Sequence, residues 1–366
     1  MAARKGLPWT VSAGGLRVLR GTVGALVGGT FLVHYLPHTW LIDKTQQFTQ
    51  AYRKGQAIPV PKTVTELVEE VMGEMGMGEE ARGRVRVYTS FGYDFYHAGS
   101  SGSTHGAILG VPKSARWESL ADFDPTGVVV NNEPVAWSTA GGQRLMHSLV
   151  LSKNAKKFAI ARELHGIETD PILTRAFIPS LGLTTSYTLA LGINRRLNLY
   201  ARPRSLRVVL YGLTSLIGYV VFILGTDMMT VSSEAKGDGA AAAMGKGYAE
   251  GGVEFYQKVL GRNVALRELM GSDGEKLFTA MGNDELLVRT RHLPYTMRLD
   301  SMKKHLKKYE KEEEEGKEGE GKGSDGKEEL KDGEGKEKDG EKKEEKGKEV
   351  EAAKDDDGKE GEVKGS

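Results

Sequence analysis

The chain has 366 residues, with 51 Lys and Arg against 50 Asp and Glu, and no cysteine. The missing cysteine removes disulfides, thiolate metal sites and cysteine nucleophiles together. The near-zero net charge averages two unlike parts: residues 310–366 hold 24 acids and 14 lysines and no aromatic side chain, leaving 1–309 with 37 basic residues against 26 acids.

The N-terminus, residues 1–17, is basic: Arg4, Lys5, Arg17 and Arg20 precede the first acid, Asp43. The uncharged stretch that follows Arg20 and runs to Ile42 predicts a first transmembrane helix over 18–38, with Trp9 and Trp40 at opposite interfaces. A cleaved secretory signal is the other reading of such a stretch. Gly21, Gly24 and Gly28 on one face favour a retained helix, because Gly24 and Gly28 make a small-xxx-small pair that lets helices approach closely. An acid-free basic start and the lack of any Asn-x-Ser/Thr sequon suit mitochondrial import better than a secretory lumen.

Residues 43–175 read as an α+β segment. Val64, Leu67, Val68, Val71 and Met75 share one face of a helix over 64–82. Short runs of strand character follow at Arg84–Phe91, Ala107–Val111 and Gly127–Val130, bounded by turn residues, and suggest one small sheet. Thr139–Glu168 then reads as a single long helix.

Two uncharged runs, 176–193 and 208–226, are each about long enough to cross a bilayer as helix. The loop between them, 194–207, carries five arginines and no acid. A short arginine-rich loop stays on the side of synthesis, so both outer flanks face across the membrane. The basic N-terminus demands the same orientation for the first helix. Residues 227–309 form an exported helical segment, in which 248–270 has helical spacing, and 310–366 have too little apolar surface to order. The fold class is thus an α+β membrane protein: three transmembrane helices, a small β-sheet packed with helices on the exported side, and a disordered C-terminal tail.

One string ahead of the hairpin calls for comparison with chemistry. Arg162-Glu163-Leu164-His165-Gly166 occupies the place where a membrane-embedded zinc peptidase carries His-Glu-x-x-His, two ligands one helical turn apart with a general base between them. Here Arg162 and Gly166 stand at the ligand positions, and His165 is turned about 100° away. Glu234 and Asp238, beyond the hairpin, have the spacing that such peptidases use for a third ligand and its support. The five positions Arg162, Glu163, Gly166, Glu234 and Asp238 therefore outline a peptidase layout without its metal ligands. No phosphate-binding loop or nucleophile elbow occurs. No catalytic residue, metal or cofactor is expected, and neither nucleic acid nor a small-molecule substrate. Arg291-His292-Leu293-Pro294-Tyr295 places cationic and aromatic groups around a helix-blocking proline. With Tyr256, residues His292, Pro294 and Tyr295 are the candidate partner contacts, although the kinked segment is expected first to dock on its own domain.

Several strings resemble one family. Gly-Gly-Val-Glu-Phe-Tyr at 251–256, Asp-Gly-Glu-Lys-Leu at 273–277 and His-Leu-Pro-Tyr-Thr at 292–296 are similar to the C-terminal region of the transmembrane protein 177 family, and Lys157-Phe158-Ala159 with Ala161-Arg162-Glu163 to its middle. The resemblance covers about residues 15–302 and leaves the acidic tail without counterpart. It implies a non-catalytic factor of the mitochondrial inner membrane. Its larger segments would face the intermembrane space, and it would stabilise newly made cytochrome c oxidase subunit II together with that subunit's assembly chaperone. The lipid bilayer is the remaining partner. The competing class is a membrane-bound zinc metallopeptidase with atypical ligands, or an inactive relative of one.

Overall fold

The computed structural model describes residues 12–324 except 127, 132, 286–288 and 290, with side chains to 315. Arg4, Lys5, Trp9, Gly127 and the tail beyond 324 lie outside the described residues. Three helices are long and apolar enough to cross a membrane, and the chain is a multi-pass membrane protein.

The first span is α1 (Ala13–Tyr35), capped by the Ser12 hydroxyl, which accepts from Gly15 N at 3.1 Å. A single turn, Leu36–His38, and α2 (Ile42–Thr49) lead into the body. His38 Nδ1 there accepts from Gly99 N at 3.3 Å, and Ile42 packs with Tyr88, Ala98 and Ile108, so the end of the span is seated on the sheet. A two-residue hairpin, β1 (Tyr52–Arg53) and β2 (Gln56–Ala57), precedes α3 (Lys62–Glu74), which buries the expected face Val64, Leu67, Val68 and Val71. The helix expected to reach residue 82 stops at Glu74. Gly76 takes a φ of +70°, a conformation natural to glycine, and a separate short α4 (Glu79–Gly83) follows.

The sheet has the order β3 (Val85–Ser90), β5 (Ala107–Pro112), β4 (Tyr96–Gly99), with β3 parallel and β4 antiparallel to the central strand. Its third member is β4, which the sequence pattern did not suggest. The residues expected to supply it instead form β6 (Val129–Val130), paired only with β7 (Glu133–Pro134). β5 is buried along its whole length, as a central strand covered on both faces must be.

The long helix expected over Thr139–Glu168 is two helices, α5 (Ala140–Leu149) and α6 (Lys153–Thr169). Extended backbone at Val150 ends the first, and the Ser152 hydroxyl starts the second by accepting from Ala155 N at 3.2 Å. α6 is buried nearly all round, with Phe158, Leu164 and Ile167 at 0 % exposure. Such a helix forms the middle of a domain.

α7 (Ile172–Arg196) and α8 (Arg204–Ala242) are the second and third spans. They meet through glycines: a Cβ on Gly182 would fall 2.5 Å from the Gly218 carbonyl oxygen, and one on Gly218 would overlap Gly182 and Ser186. The stripe expected to pack, Gly21, Gly24 and Gly28, does not do so within the chain: a Cβ at any of them meets nothing within 4 Å. α1 contacts α7 along another face, where Ser180 Oγ donates to Val27 O at 3.0 Å.

α8 runs well past its apolar stretch into the body, followed by α9 (Lys246–Met270), α10 (Ser272–Leu277) and α11 (Tyr295–Ser324). α11 is helical across the first fifteen residues of the segment expected to be unstructured. Tyr309 at its side donates to Ala243 O at 3.0 Å, and Lys246 pairs with Glu313 at 2.6 Å.

Candidate functional site

The polar extension of α8 places Asp227, Glu234 and Asp238 at helical intervals on one face. Each meets an arginine from the C-terminal part. Arg289 grips Asp227 with two nitrogens, at 2.8 and 2.7 Å. Arg298 on α11 holds Asp238 in the same forked manner, at 2.7 and 2.8 Å, and reaches Glu234 at 3.5 Å. Arg298 and Asp238 are both almost fully buried, and a guanidinium removed from water needs such bidentate pairing.

From Asp238 the network continues inward. Tyr256 on α9 donates to Asp238 Oδ1 at 2.6 Å and accepts from Arg162 on α6 at 3.1 Å. Arg162 in turn pairs with Glu163, Nε to Oε1 at 2.9 Å. The other Glu163 oxygen lies 2.6 Å from Nδ1 of His97, which comes from β4. On its far side His97 Nε2 is 3.4 Å from Asp170, whose carboxylate also accepts from Ser233 at 2.5 Å and Arg175 at 3.2 Å.

Four carboxylates, Glu163, Asp170, Glu234 and Asp238, thus face Arg162, Arg175, Arg298 and His97. Burial works against the imidazolium, but the bonds from Asp170 and Glu163 outweigh it and hold His97 up to about 9. Burial likewise works against the Glu163 carboxylate, yet Arg162 and His97 bring it down to about 2. Asp170 also sits at about 2, with His97 and Ser233 overcoming its burial. Burial pushes the Tyr256 hydroxyl far up, so it stays a neutral donor.

The structure therefore brings together Arg162, Glu163, Glu234, Asp238 and Tyr256, and puts Gly166 beside them. Their arrangement is a clamp. Both oxygens of Glu163 are occupied, Oε2 by His97 and Oε1 by Arg162. Gly166 is small because the His97 ring fills the space in front of it. Glu234 receives His292 Nδ1 at 2.7 Å and the Leu293 amide at 2.9 Å, so the kinked segment is docked on its own domain.

That docking is the expected one for the kinked segment, and it leaves the four candidate partner contacts unequally accessible. Tyr256 is at 0 % exposure, enclosed by Phe158, Phe255 and Tyr295, and offers nothing to a partner. Tyr295 packs against the core and Pro294 is half-buried, while His292 keeps a side chain that is 51 % exposed. Among the described residues no cluster of three or more His, Asp or Glu is arranged to hold a metal.

His97, Asp170 and Arg298 escaped the reading of the sequence. Arg298 carried a signal, since an arginine on a helix otherwise packing apolar residues inward implies a buried acid opposite. His97 carried none, lying on a four-residue strand and meeting its partners across 66 and 73 positions.

A family model described as Transmembrane protein 177 matches residues 86–320. The chain belongs to this family. Transmembrane protein 177 of Homo sapiens is 34 % identical over 290 residues, covering 78 % of this chain and 92 % of the relative. The Rattus norvegicus protein is 33 % identical over 282 residues, with 76 % and 89 % covered, and the Xenopus laevis protein 29 % identical over 295, with 78 % and 94 % covered. The match to the family model spans the clamp from His97 to Arg298. No solved structure matches the chain.

Proposed function

We propose that this member of the Transmembrane protein 177 family is a non-catalytic assembly factor of the mitochondrial inner membrane. It stabilises newly made cytochrome c oxidase subunit II together with that subunit's chaperone, its body facing the intermembrane space. The observation that carries the non-catalytic part is the state of Glu163: a carboxylate saturated by Arg162 and His97 is a structural anion, in the place where a peptidase would keep its base. The clamp ties the third span to α6, α9, α11 and the sheet, so that the body is carried rigidly on the membrane helices. Such a platform suits holding a partner whose own domain emerges from the same membrane.

Removing the protein from mitochondria and following newly synthesised subunit II by pulse–chase tests this. A shortened half-life of subunit II, restored by the wild-type chain, is the expected result, with the subunit and its chaperone co-isolating on a tagged copy. An unchanged half-life would end the proposal. Accumulation of an uncleaved substrate protein, relieved by wild-type but not by Glu163→Gln at equal abundance, would instead indicate a peptidase.

A further inference from the structure

Between α1 and the α7–α8 hairpin lies a cavity of about 450 Å³, inside the range of sites that enclose small ligands. Most of its wall is hydrocarbon: Leu19, Val23 and Leu26 from α1, Leu183 and Leu191 from α7. Asn194, Tyr200 and Arg207 line the end where α7 finishes and α8 begins, while Ser186 and Thr214 lie deeper along the hairpin. Asn194 is 1 % exposed there, and its amide nitrogen donates to the Tyr211 hydroxyl at 3.2 Å while Oδ1 has no hydrogen-bond partner. Arg207 stacks its guanidinium over the Tyr200 ring at 5.4 Å, and its buried Nε likewise has no hydrogen-bond partner. A buried donor and a buried acceptor left unmade in an apolar setting are costly. Both belong to the loop region 194–207, which carries five arginines and no acid.

We propose that this cavity binds one anionic phospholipid whose headgroup carries a hydroxyl. The phosphate accepts from Arg207 Nε, the headgroup hydroxyl donates to Asn194 Oδ1, and acyl chain lies along the leucines of α1 and α7. Charge selects the lipid class: a zwitterionic headgroup would bring a further cation into a loop that already holds five. The apolar wall selects a lipid over free phosphate, which would leave most of the cavity unfilled. The site stands apart from the assembly role, and neither depends on the other.

The test uses the full chain, stripped of lipid in detergent and challenged with phosphatidylglycerol, phosphatidylcholine or inorganic phosphate, read by thermal unfolding and native mass spectrometry. Phosphatidylglycerol should raise the transition and give a one-to-one adduct; phosphatidylcholine and phosphate should do neither. Arg207→Gln should weaken phosphatidylglycerol binding about tenfold, the order expected for one charge-assisted hydrogen bond. Arg202→Gln, an exposed arginine of the same loop, should change it by less than about twofold. If Arg207→Gln does not fold, Ala190→Phe, which narrows the cavity and keeps its polar groups, should abolish the adduct. Equal binding of phosphatidylcholine, an equal shift with phosphate alone, or equal losses in the two arginine variants would overturn the proposal, as would an adduct that survives Ala190→Phe.

Discussion

Gly166 on α6 faces the imidazole of His97 on β4 so closely that a Cβ at 166 would fall 2.6 Å from Nε2. The ring cannot swing aside, because Glu163 and Asp170 hold it from two directions. Gly166→Ala sets two effects against each other. Alanine in a helix interior gains about 1 kcal/mol over glycine, whereas overlap in a packed interior costs about 1–3 kcal/mol and here also pulls His97 off its carboxylates. Overlap should win, and the variant should unfold several degrees below wild type in detergent. An unchanged or raised transition would mean that the ring is not confined.

The same imidazole makes stability depend on pH. His97 titrates at about 9 in the folded chain against an ordinary 6.5, so its contribution is complete below 6.5 and is lost as pH rises through 9. Glu163 and Asp170 are depressed to about 2 from 4.5 and 3.8, so theirs is complete above 4.5 and is lost as pH falls toward 2. His292, raised by its bond to Glu234, adds to the alkaline loss. The unfolding temperature should hold a plateau between about 4.5 and 6.5 and fall on both sides. His97→Gln should lower the plateau and flatten its alkaline limb. A wild-type transition constant from pH 6.5 to 9 would contradict the pairing.

The legible parts of the fold were those with local signals. Uncharged runs marked the second and third spans because a bilayer imposes their length, and the stripe from Val64 to Val71 marked α3 because a helix on a core must bury one face. The split between α5 and α6 was written locally too, in Ser152 ahead of Ala155, but the apolar residues on either side concealed it. β4 was illegible, since four residues are too few to establish alternation. Of the clamp, the sequence offered Arg162, Glu163, Glu234 and Asp238 through a spacing borrowed from peptidases. Their meaning changed once Arg298 and His97 arrived from distant parts of the chain.

Glycine shows the same limit. Gly24 and Gly28 have the spacing associated with helix pairing, yet the close approach in the hairpin is made by Gly182 and Gly218, which lie on different helices and share no local pattern. Gly218→Leu should therefore separate α7 from α8 at a cost of about 1–3 kcal/mol. Gly24→Leu, whose added side chain meets open space inside a helix, should cost nothing. Unfolding of the two variants in the same micelles decides the matter, and a larger loss at Gly24 would place the packing on the wrong face.

Charge and geometry together predict an orientation for the chain. Leu19 near the start of α1, Asn194 near the end of α7 and Arg207 at the start of α8 line one cavity, so the N-terminal end of the first span and the arginine-rich loop share one side. His38, at the other end of that span, touches the sheet through Gly99, which puts the body on the opposite side. Five arginines without an acid in 194–207, and Arg17 and Arg20 at the start of the first helix, predict that the loop and the N-terminus share the positive-inside face of the membrane. For an inner-membrane protein this predicts the loop in the matrix and the body in the intermembrane space. Protease added to mitoplasts should cut the body, beginning at exposed stretches such as Phe91-Gly92, and should spare an epitope inserted at Asn198 until detergent is added. An epitope cleaved in intact mitoplasts with the body protected would invert the topology and remove the shared compartment on which the assembly role depends.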